Sequence, residues 1–223
     1  MTARKGVLWD LDGVLVDTGG FHLPAWSQTL AEYGIPFNEE LFRATFGMNN
    51  AGILALLLGR APEPEFVAEV SDRKEWLFRQ AVRGHAQPLP GVRTWLDDLK
   101  AEGVRQAIAS SAPPANIDTL VDELDLRSYF DAIVSGSDLP GKPDPAVFLR
   151  AAHLIGVPPD RCVVVEDAVA GVEAAQRAGM RCIAVTTTNP AHLLNGADIV
   201  VERLDALSPD AFRRLLDPSS VPG

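Results

Sequence analysis

The 223-residue sequence has only two cysteines, Cys162 and Cys182, and each lies in or beside an apolar run. No C-x-x-C spacing occurs, which excludes the usual cysteine-based zinc sites. We expect both residues to be reduced thiols buried in neighbouring strands. The sequence also lacks an apolar stretch of about 18 residues, which a membrane-spanning helix needs, and an apolar signal-peptide core near its start. These absences predict a cytoplasmic protein with no membrane partner.

Positive charge is scarce, because 20 Lys and Arg residues stand against 30 Asp and Glu residues. The formal net charge of −10 argues against nucleic acid as a partner, since its phosphates repel an acidic protein. The glycine-rich nucleotide motifs, the G-x-S-x-G elbow and H-E-x-x-H are absent as well. An anionic substrate would therefore need local positive charge from a metal, a lysine or a helix N-terminus.

Apolar runs alternate with amphipathic segments along most of the chain. Six short runs predict strands at 6–10, 105–110, 132–135, 162–166, 181–186 and 198–201. Most are continuously apolar, which is typical of parallel strands covered on both faces. Amphipathic stretches between them predict helices at 92–100, 114–124, 145–155 and 168–178. The alternation predicts an α/β fold with a doubly wound, parallel, Rossmann-like sheet.

The region from 17 to 86 interrupts this alternation of strands and helices, because it contains no apolar run of the kind that predicts a strand. It predicts helices instead, at 20–33, 38–46, 50–58 and 63–82. We interpret residues 17–86 as an inserted all-helical cap domain, and residues 1–16 with 87–223 as the α/β core domain. A cap that follows the first strand would control water access and substrate choice. The tail at 217–223 is expected to fray.

Two aspartates, Asp10 and Asp12, follow the first predicted strand. Alternate residues of a strand point to the same face, and Gly13 permits a sharp turn directly afterwards. Paired carboxylates repel each other, and a divalent cation with a preference for oxygen ligands compensates that repulsion. The sequence therefore predicts a Mg²⁺ site here, with Mn²⁺ as an alternative, although Asp and Gly also occur in ordinary turns.

Other polar residues end the neighbouring strands. Ser110 and Ser111 end the second strand, Lys142 precedes a predicted helix, and Glu166 with Asp167 ends the fourth strand. Ligands of open α/β sheets bind at the carboxyl ends of the strands, so these side chains are expected at one rim.

Charge suggests a role for each of these groups. Asp10 and Asp167, together with Glu166, suit a metal ion, whereas Ser110 and Lys142 suit phosphate oxygens. Asp10 can then attack phosphorus and form an aspartyl-phosphate. Asp12 can protonate the leaving oxygen and later deprotonate water.

The motif set resembles that of the haloacid dehalogenase-like superfamily, in its phosphatase and phosphomutase branch with a helical cap. Asp10-Leu11-Asp12-Gly13-Val14 resembles the first motif and Ser110 the second, Lys142 in Gly-Lys-Pro-Asp-Pro resembles the third, and Glu166-Asp167 with Gly171 resembles the fourth. The resemblance implies that Asp10 is the nucleophile and Asp12 the general acid and base. It also implies that Mg²⁺ is bound by Asp10, by the backbone carbonyl of Asp12 and by Glu166 and Asp167.

Two reactions, phosphate ester hydrolysis and phosphoryl transfer within a sugar, use this same set of residues. The chain resembles β-phosphoglucomutases in Asp17-Thr18, His22 and Lys74. The mutases carry a cap arginine after the Gly that separates two cap helices, and Asn50 stands where that arginine is expected. Asparagine cannot form a charged bidentate contact with a phosphate. We therefore expect a phosphatase, with a mutase as the alternative and a non-catalytic binding module as a third possibility.

The substrate pocket is expected to lie between core and cap. His22 and Trp26 share one helix face, and we expect them to line the pocket with Asn49, Asn50 and Lys74. Trp26 would otherwise pack in the cap core, and His22 would form a structural hydrogen bond. Such a lining suits a sugar or polyol phosphate, whose phosphate group would contact Gly13, Ser110, Ser111 and Lys142. We expect a monomer, because cap opening needs free space.

Overall fold

The computed structural model describes residues 4–45 and 48–217. Six strands in these residues form one parallel sheet: β1 Gly6–Trp9, β2 Arg105–Ser110, β3 Ala132–Ser135, β4 Cys162–Glu166, β5 Arg181–Val185 and β6 Ile199–Val201. Their order in the sheet is β3-β2-β1-β4-β5-β6. This confirms the predicted doubly wound α/β fold, and each strand lies within the run that predicted it. The central strand β1 places its carboxyl end between those of β2 and β4.

Helices cover both faces of the sheet. The described helices are α1 Gly19–Glu32, α2 Glu39–Thr45, α3 Asn50–Leu58, α4 Pro64–Val82, α5 Val92–Ala101, α6 Pro114–Glu123, α7 Ala146–Ile155, α8 Val169–Arg177 and α9 Ala211–Leu216. Val7 and Trp9 of β1 face the core layer that contains residues of α5, α6 and α9. Leu8 faces the opposite layer, formed with α7 and α8. Side-chain alternation along the strand explains why one strand supplies both layers.

The two cysteines are free and buried, in the neighbouring strands β4 and β5. This confirms the expectation of two separate thiols. Burial raises the pKa of the Cys162 thiol to about 12, so the group is uncharged at neutral pH.

The helical insertion consists of α1 to α4 and lies between β1 and α5. It has an apolar cluster of its own, formed by Trp26, Leu30, Ile53, Leu54 and Val70. The predicted helix at 38–46 ends at Thr45, and residues 46 and 47 lie outside the described residues. No described helix combines the length and the apolar composition that a membrane span requires.

The two connections between insertion and core run side by side. Val16 forms isolated bridges with Asp12 and with Pro88, and the Leu89 N–H donates to the Leu15 carbonyl at 2.9 Å. The predicted domain limits at 16/17 and 86/87 fall where these two connections run side by side, and they stay a prediction. Of the tail predicted to fray, residues 218–223 lie outside the described residues, whereas Asp217 pairs with Lys5 at 2.6 Å.

Candidate active site

Three buried carboxylates meet where β1 and β4 end. Trp9 of β1 is paired with Val165 of β4, so Asp10 follows next to Glu166 and Asp167. Each of the three acids offers an oxygen within 4.8 Å of the others. Oδ2 of Asp167 is buried and has no hydrogen-bond partner among the described residues. A buried cluster of carboxylates with an unpartnered oxygen fits a divalent cation, because unpaired buried charge is costly and oxygen ligands suit Mg²⁺.

Two glycines make room for this cluster. Gly13 has a φ of 80°, and a Cβ at this position would lie 1.9 Å from Oδ2 of Asp167. A Cβ at Gly171 would lie 1.9 Å from the carboxyl carbon of Glu166. A side chain at either position would therefore displace an acid of the cluster.

Lys142 supplies positive charge to the same cluster. Its Nζ donates to Oδ1 of Asp10 at 2.6 Å and to Oε1 of Glu166 at 2.5 Å. Burial acts to lower the pKa of Lys142, but the two carboxylates outweigh it and raise that pKa. Oε2 of Glu166 in turn accepts from the backbone N–H groups of Asp167 and Ala168. Glu166 thus holds both Lys142 and the start of the loop that carries Asp167.

The cluster has an excess of negative charge even with Lys142 in place. Burial, aided by Glu166 and Asp12 and opposed by Lys142, raises the pKa of Asp10 to about 8. Burial and the neighbouring Glu166 and Asp10 also raise the pKa of Asp167 well above its usual range. A further positive charge at this point would favour the ionised form of both acids.

The side chain of Asp12 lies outside the three-carboxylate cluster and faces the cap. Its Oδ1 accepts from Oγ1 of Thr18 at 2.6 Å and lies 3.3 Å from Nε2 of His22. Burial acts to raise the pKa of Asp12, but the contacts with His22 and Thr18 lower it. A metal contact from Asp12 would therefore come from its backbone carbonyl, and this role stays a prediction.

His22 is held tightly on the cap side. Its ring stacks on Phe78 with centroids 4.0 Å apart and planes 8° apart. Burial and the charge of Lys74 lower the pKa of His22, against the pull of Asp12. The predicted structural hydrogen bond of His22 thus exists, and its partner is Asp12.

A cavity of about 220 Å³ lies between the core and the cap. The predicted residues that line it are Asp10, Asp12, Ser110 and Ser111 from the core, and His22, Trp26, Asn49, Asn50 and Lys74 from the cap. Ser110 is buried at the end of β2, and its Oγ accepts from the Ala112 N–H at 3.0 Å. The structure therefore brings these nine predicted residues together around one space.

The remaining predicted residues do not line the cavity. Lys142, Glu166, Asp167 and Gly13 surround Asp10 or its neighbouring loop without lining the cavity. Two locations were predicted for Trp26, the pocket lining and the cap core. The side chain occupies both, because it lines the cavity and also belongs to the apolar cluster of the cap.

Several cavity residues were not expected from the sequence. Glu75, Asn116, Ser71 and Ser137 line the cavity, and Glu75 is a buried carboxylate. Glu75 follows Lys74 in a charged stretch of α4 that is indistinguishable from a solvent-exposed helix face in the sequence. Only the position of α4 against α3 and α6 reveals its burial.

A helical cap over carboxylates at the carboxyl ends of parallel strands defines a class of capped α/β enzymes. The chain belongs to the haloacid dehalogenase-like hydrolases, since the model of that family matches residues 4–179. The resemblance inferred from the motifs is thereby confirmed.

Individual relatives support this assignment. A phosphorylated carbohydrates phosphatase of Thermotoga maritima is 33% identical over 184 residues, which cover 80% of this chain and 83% of the relative. A β-phosphoglucomutase of Bacillus subtilis is 32% identical over 212 residues, which cover 92% of each chain. A crystal structure of a CbbY mutant from Rhodobacter sphaeroides, in complex with xylulose-1,5-bisphosphate, superposes with a TM-score of 0.83. It is 26% identical and covers 92% of this chain and 96% of that one. The chain is thus an enzyme, a phosphatase-type hydrolase of this family.

Proposed function

We propose that the protein is a Mg²⁺-dependent phosphatase that hydrolyses small phosphomonoesters through an aspartyl-phosphate on Asp10. The observation that supports this best is the position of Asp10 between two environments. On one side it contacts Lys142 and the acidic cluster, and on the other it lines the cavity below the cap. A carboxylate in this position can attack a phosphorus atom placed in the cavity.

The acidic cluster fits a bound cation. Asp10, Glu166 and Asp167 would hold Mg²⁺, with the backbone carbonyl of Asp12, as the buried unpartnered oxygen of Asp167 favours. The ion, when bound, would offset the negative charge of phosphate oxygens and carboxylates. Lys142 adds a fixed positive charge on the same side of Asp10.

The side chains then divide the chemistry between them. An oxygen of Asp10 attacks phosphorus, the bond from phosphorus to the ester oxygen breaks, and Asp12 in its protonated form donates its proton to that leaving oxygen and becomes a carboxylate. Water next attacks the aspartyl-phosphate, Asp12 takes the proton from water, and the carboxylate of Asp10 is released with inorganic phosphate. Thr18 and His22 keep the carboxyl group of Asp12 oriented for both proton transfers. Ser110 and Ser111 border the space in which phosphate oxygens would lie.

The cavity favours a sugar or polyol phosphate as the substrate. Its lining offers hydroxyl, amide and imidazole groups together with apolar surface from Trp26 and neighbouring residues. The Thermotoga maritima relative is named for phosphorylated carbohydrates, which agrees with this class. We further propose that the enzyme acts as a cytoplasmic monomer on a small metabolite, without nucleic acid or a membrane as a partner.

A sugar phosphomutase is the second candidate, favoured by the identity to the Bacillus subtilis enzyme. A mutase must bind the second phosphate of a bisphosphate intermediate. The amide of Asn50 donates to Oε1 of Glu75 at 2.7 Å, so it is engaged with a carboxylate. This arrangement favours hydrolysis over transfer to a second sugar hydroxyl.

The test measures phosphate release from a panel of sugar and polyol monophosphates, with Mg²⁺ and with EDTA. The panel includes β-glucose 1-phosphate, from which glucose 6-phosphate formation is followed in the same samples. Asp10→Asn is the inactive control, and Asp72→Asn removes the same charge from an exposed site on α4. Phosphate release that needs both Mg²⁺ and Asp10 supports the proposal. Glucose 6-phosphate without free phosphate would establish the mutase, and turnover by Asp10→Asn would refute the assigned nucleophile.

A further inference from the structure

Glu75 is a buried carboxylate at the point where cap and core meet. It is 4% exposed and lines the cavity from α4. Its Oε1 accepts from Nδ2 of Asn50 at 2.7 Å and from Nζ of Lys74 at 2.8 Å. Its Oε2 accepts from Nδ2 of Asn116, which belongs to the core helix α6. Both oxygens are thus engaged, by donors from the cap and from the core.

The orientation of Asn116 supports this arrangement. Its Oδ1 accepts from Nη1 of Arg79 at 2.9 Å, which leaves Nδ2 to donate to Glu75. The arrangement needs Glu75 as an ionised acceptor, because all three of its partners are donors. The charge of Lys74 favours that ionised form, and although burial acts to raise the pKa of Glu75, Lys74 and its other neighbours lower it.

The charge of Lys74 is consequently not available to a ligand. Its side chain is 3% exposed, its Nζ pairs with Glu75, and its ammonium lies 5.2 Å from the Trp26 ring centroid and 5.5 Å from that of Phe78. Among the described residues that line the cavity, Lys74 is the only lysine, and no arginine is among them. Three carboxylates line it as well, those of Asp10, Asp12 and Glu75. The cap end of the cavity therefore carries no net positive charge.

We propose that Glu75 is a specificity-determining residue: by neutralising Lys74 it restricts the enzyme to monophosphates whose far end is uncharged and excludes bisphosphates. This inference rests on the proposed phosphatase function and specifies its substrate class. A second phosphate at the cap end would face the Glu75 carboxylate with only the paired Lys74 to oppose it. Sugar hydroxyls carry no charge and would meet no such repulsion at that end, where Asn49 and Asn50 line the cavity.

The test compares substrates that differ only in the second phosphate. The probes are fructose 1-phosphate with fructose 1,6-bisphosphate, and glucose 1-phosphate with glucose 1,6-bisphosphate. The readout is the ratio of kcat/KM for the bisphosphate to kcat/KM for the monophosphate. Because both values come from one preparation, the ratio is independent of the fraction of active enzyme. A purely structural role of Glu75 would leave it unchanged.

The wild type is expected to prefer each monophosphate that it hydrolyses by at least about tenfold, which corresponds to about 1.4 kcal/mol. Glu75→Gln keeps the shape and removes the charge, and we expect it to raise the ratio by about tenfold or more. Glu69→Gln removes the same charge from an exposed position on the same helix, where Glu69 accepts from Tyr33, and should leave the ratio unchanged.

Glu75→Gln places an amide nitrogen opposite Asn116 and can therefore destabilise the cap, so a second variant is needed. Ser71→Lys adds a positive charge to the cavity lining one turn before Lys74 and keeps Glu75 in place. We expect it to raise the ratio as well. The inference is wrong if the wild type hydrolyses both members of a pair equally well, or if neither variant moves the ratio by more than about twofold. If the wild type hydrolyses no phosphomonoester of the panel, the proposed function itself fails and the inference fails with it.

Discussion

The substitution Gly171→Ala tests the packing around the acidic cluster. Gly171 lies in α8, where alanine would normally favour the helix by about 1 kcal/mol. Its Cβ, however, would lie 1.9 Å from both the carboxyl carbon and Oε1 of Glu166. Glu166 is 1% exposed and its carboxylate is held by three donors, so the added methyl group would have to displace it from these contacts. The local helix preference and the packing of the site therefore oppose each other at this residue.

The contacts of Glu166 set the size of the effect. Its carboxylate accepts from Lys142 at 2.5 Å and from the N–H groups of Asp167 and Ala168 at 2.8 and 2.9 Å. Hydrogen bonds to a charged group contribute about 1.5–3 kcal/mol each, so losing two of them costs about 3–6 kcal/mol. After the helix gain, we expect the free energy of unfolding to fall by about 2–5 kcal/mol. For a chain of this size the corresponding decrease in Tm is about 4–20 °C.

Thermal and urea unfolding in EDTA measure this change, and phosphate release in Mg²⁺ measures the effect on activity. Gly20→Ala is the matched control, because Gly20 also lies in a helix but a Cβ there meets nothing within 4 Å. It should raise the free energy of unfolding by about 0.5 kcal/mol and leave activity unchanged. If Gly171→Ala were as stable and as active as Gly20→Ala, the described packing of Glu166 against α8 would be wrong.

Three other perturbations probe neighbouring parts of the site. Gly13→Ala combines a φ of 80° with a Cβ 1.9 Å from Oδ2 of Asp167, so Mg²⁺-dependent phosphate release should fall about 10- to 100-fold, as assayed over a Mg²⁺ titration. Phe78→Ala removes a fully buried ring that stacks on His22, so urea unfolding should show a loss of about 3–5 kcal/mol. Mg²⁺ at about 100 times its Kd should raise the free energy of unfolding by about 2.7 kcal/mol, measured against EDTA. The control variant Asp167→Ala lacks one acid of the cluster and should show a much smaller change.

The sequence predicted the core of the fold because its signals are local. Most of the strands are continuous apolar runs, and polar residues such as Asp10, Ser110 and Glu166 mark the strand ends. Parallel pairing brings strand ends together, so the meeting of Asp10 with Glu166 and Asp167 followed from the fold class alone. The cap helices were predicted within a few residues for the same reason.

The partners within the cap were not predictable, because they depend on how helices from distant parts of the chain pack together. Asn50 and Glu75 are 25 residues apart, and Glu75 and Asn116 are 41 residues apart. The sequence showed that Asn50 lacks the charge of an arginine, but not that its amide is bonded to a carboxylate. Lys74 was expected to line the pocket and does so, but the sequence did not show that its ammonium group is paired with the carboxylate of its neighbour Glu75.

The contacts of Asp10 and Asp12, the proposed nucleophile and the proposed general acid, depend differently on the position of the cap. Asp10 is held by Lys142 from the core, whereas the side chain of Asp12 is held by Thr18 and His22 at the start of the insertion. A rotation of the cap away from the core would carry Thr18 and His22 with it and release the carboxyl group of Asp12. In the proposed mechanism, the orientation of the nucleophile Asp10 depends on a core contact, whereas proton transfer from Asp12 to the leaving oxygen also depends on the closed position of the cap. Because Asn116 of the core donates to Glu75 of the cap, the same closed position would place the proposed specificity residue and orient the proposed general acid.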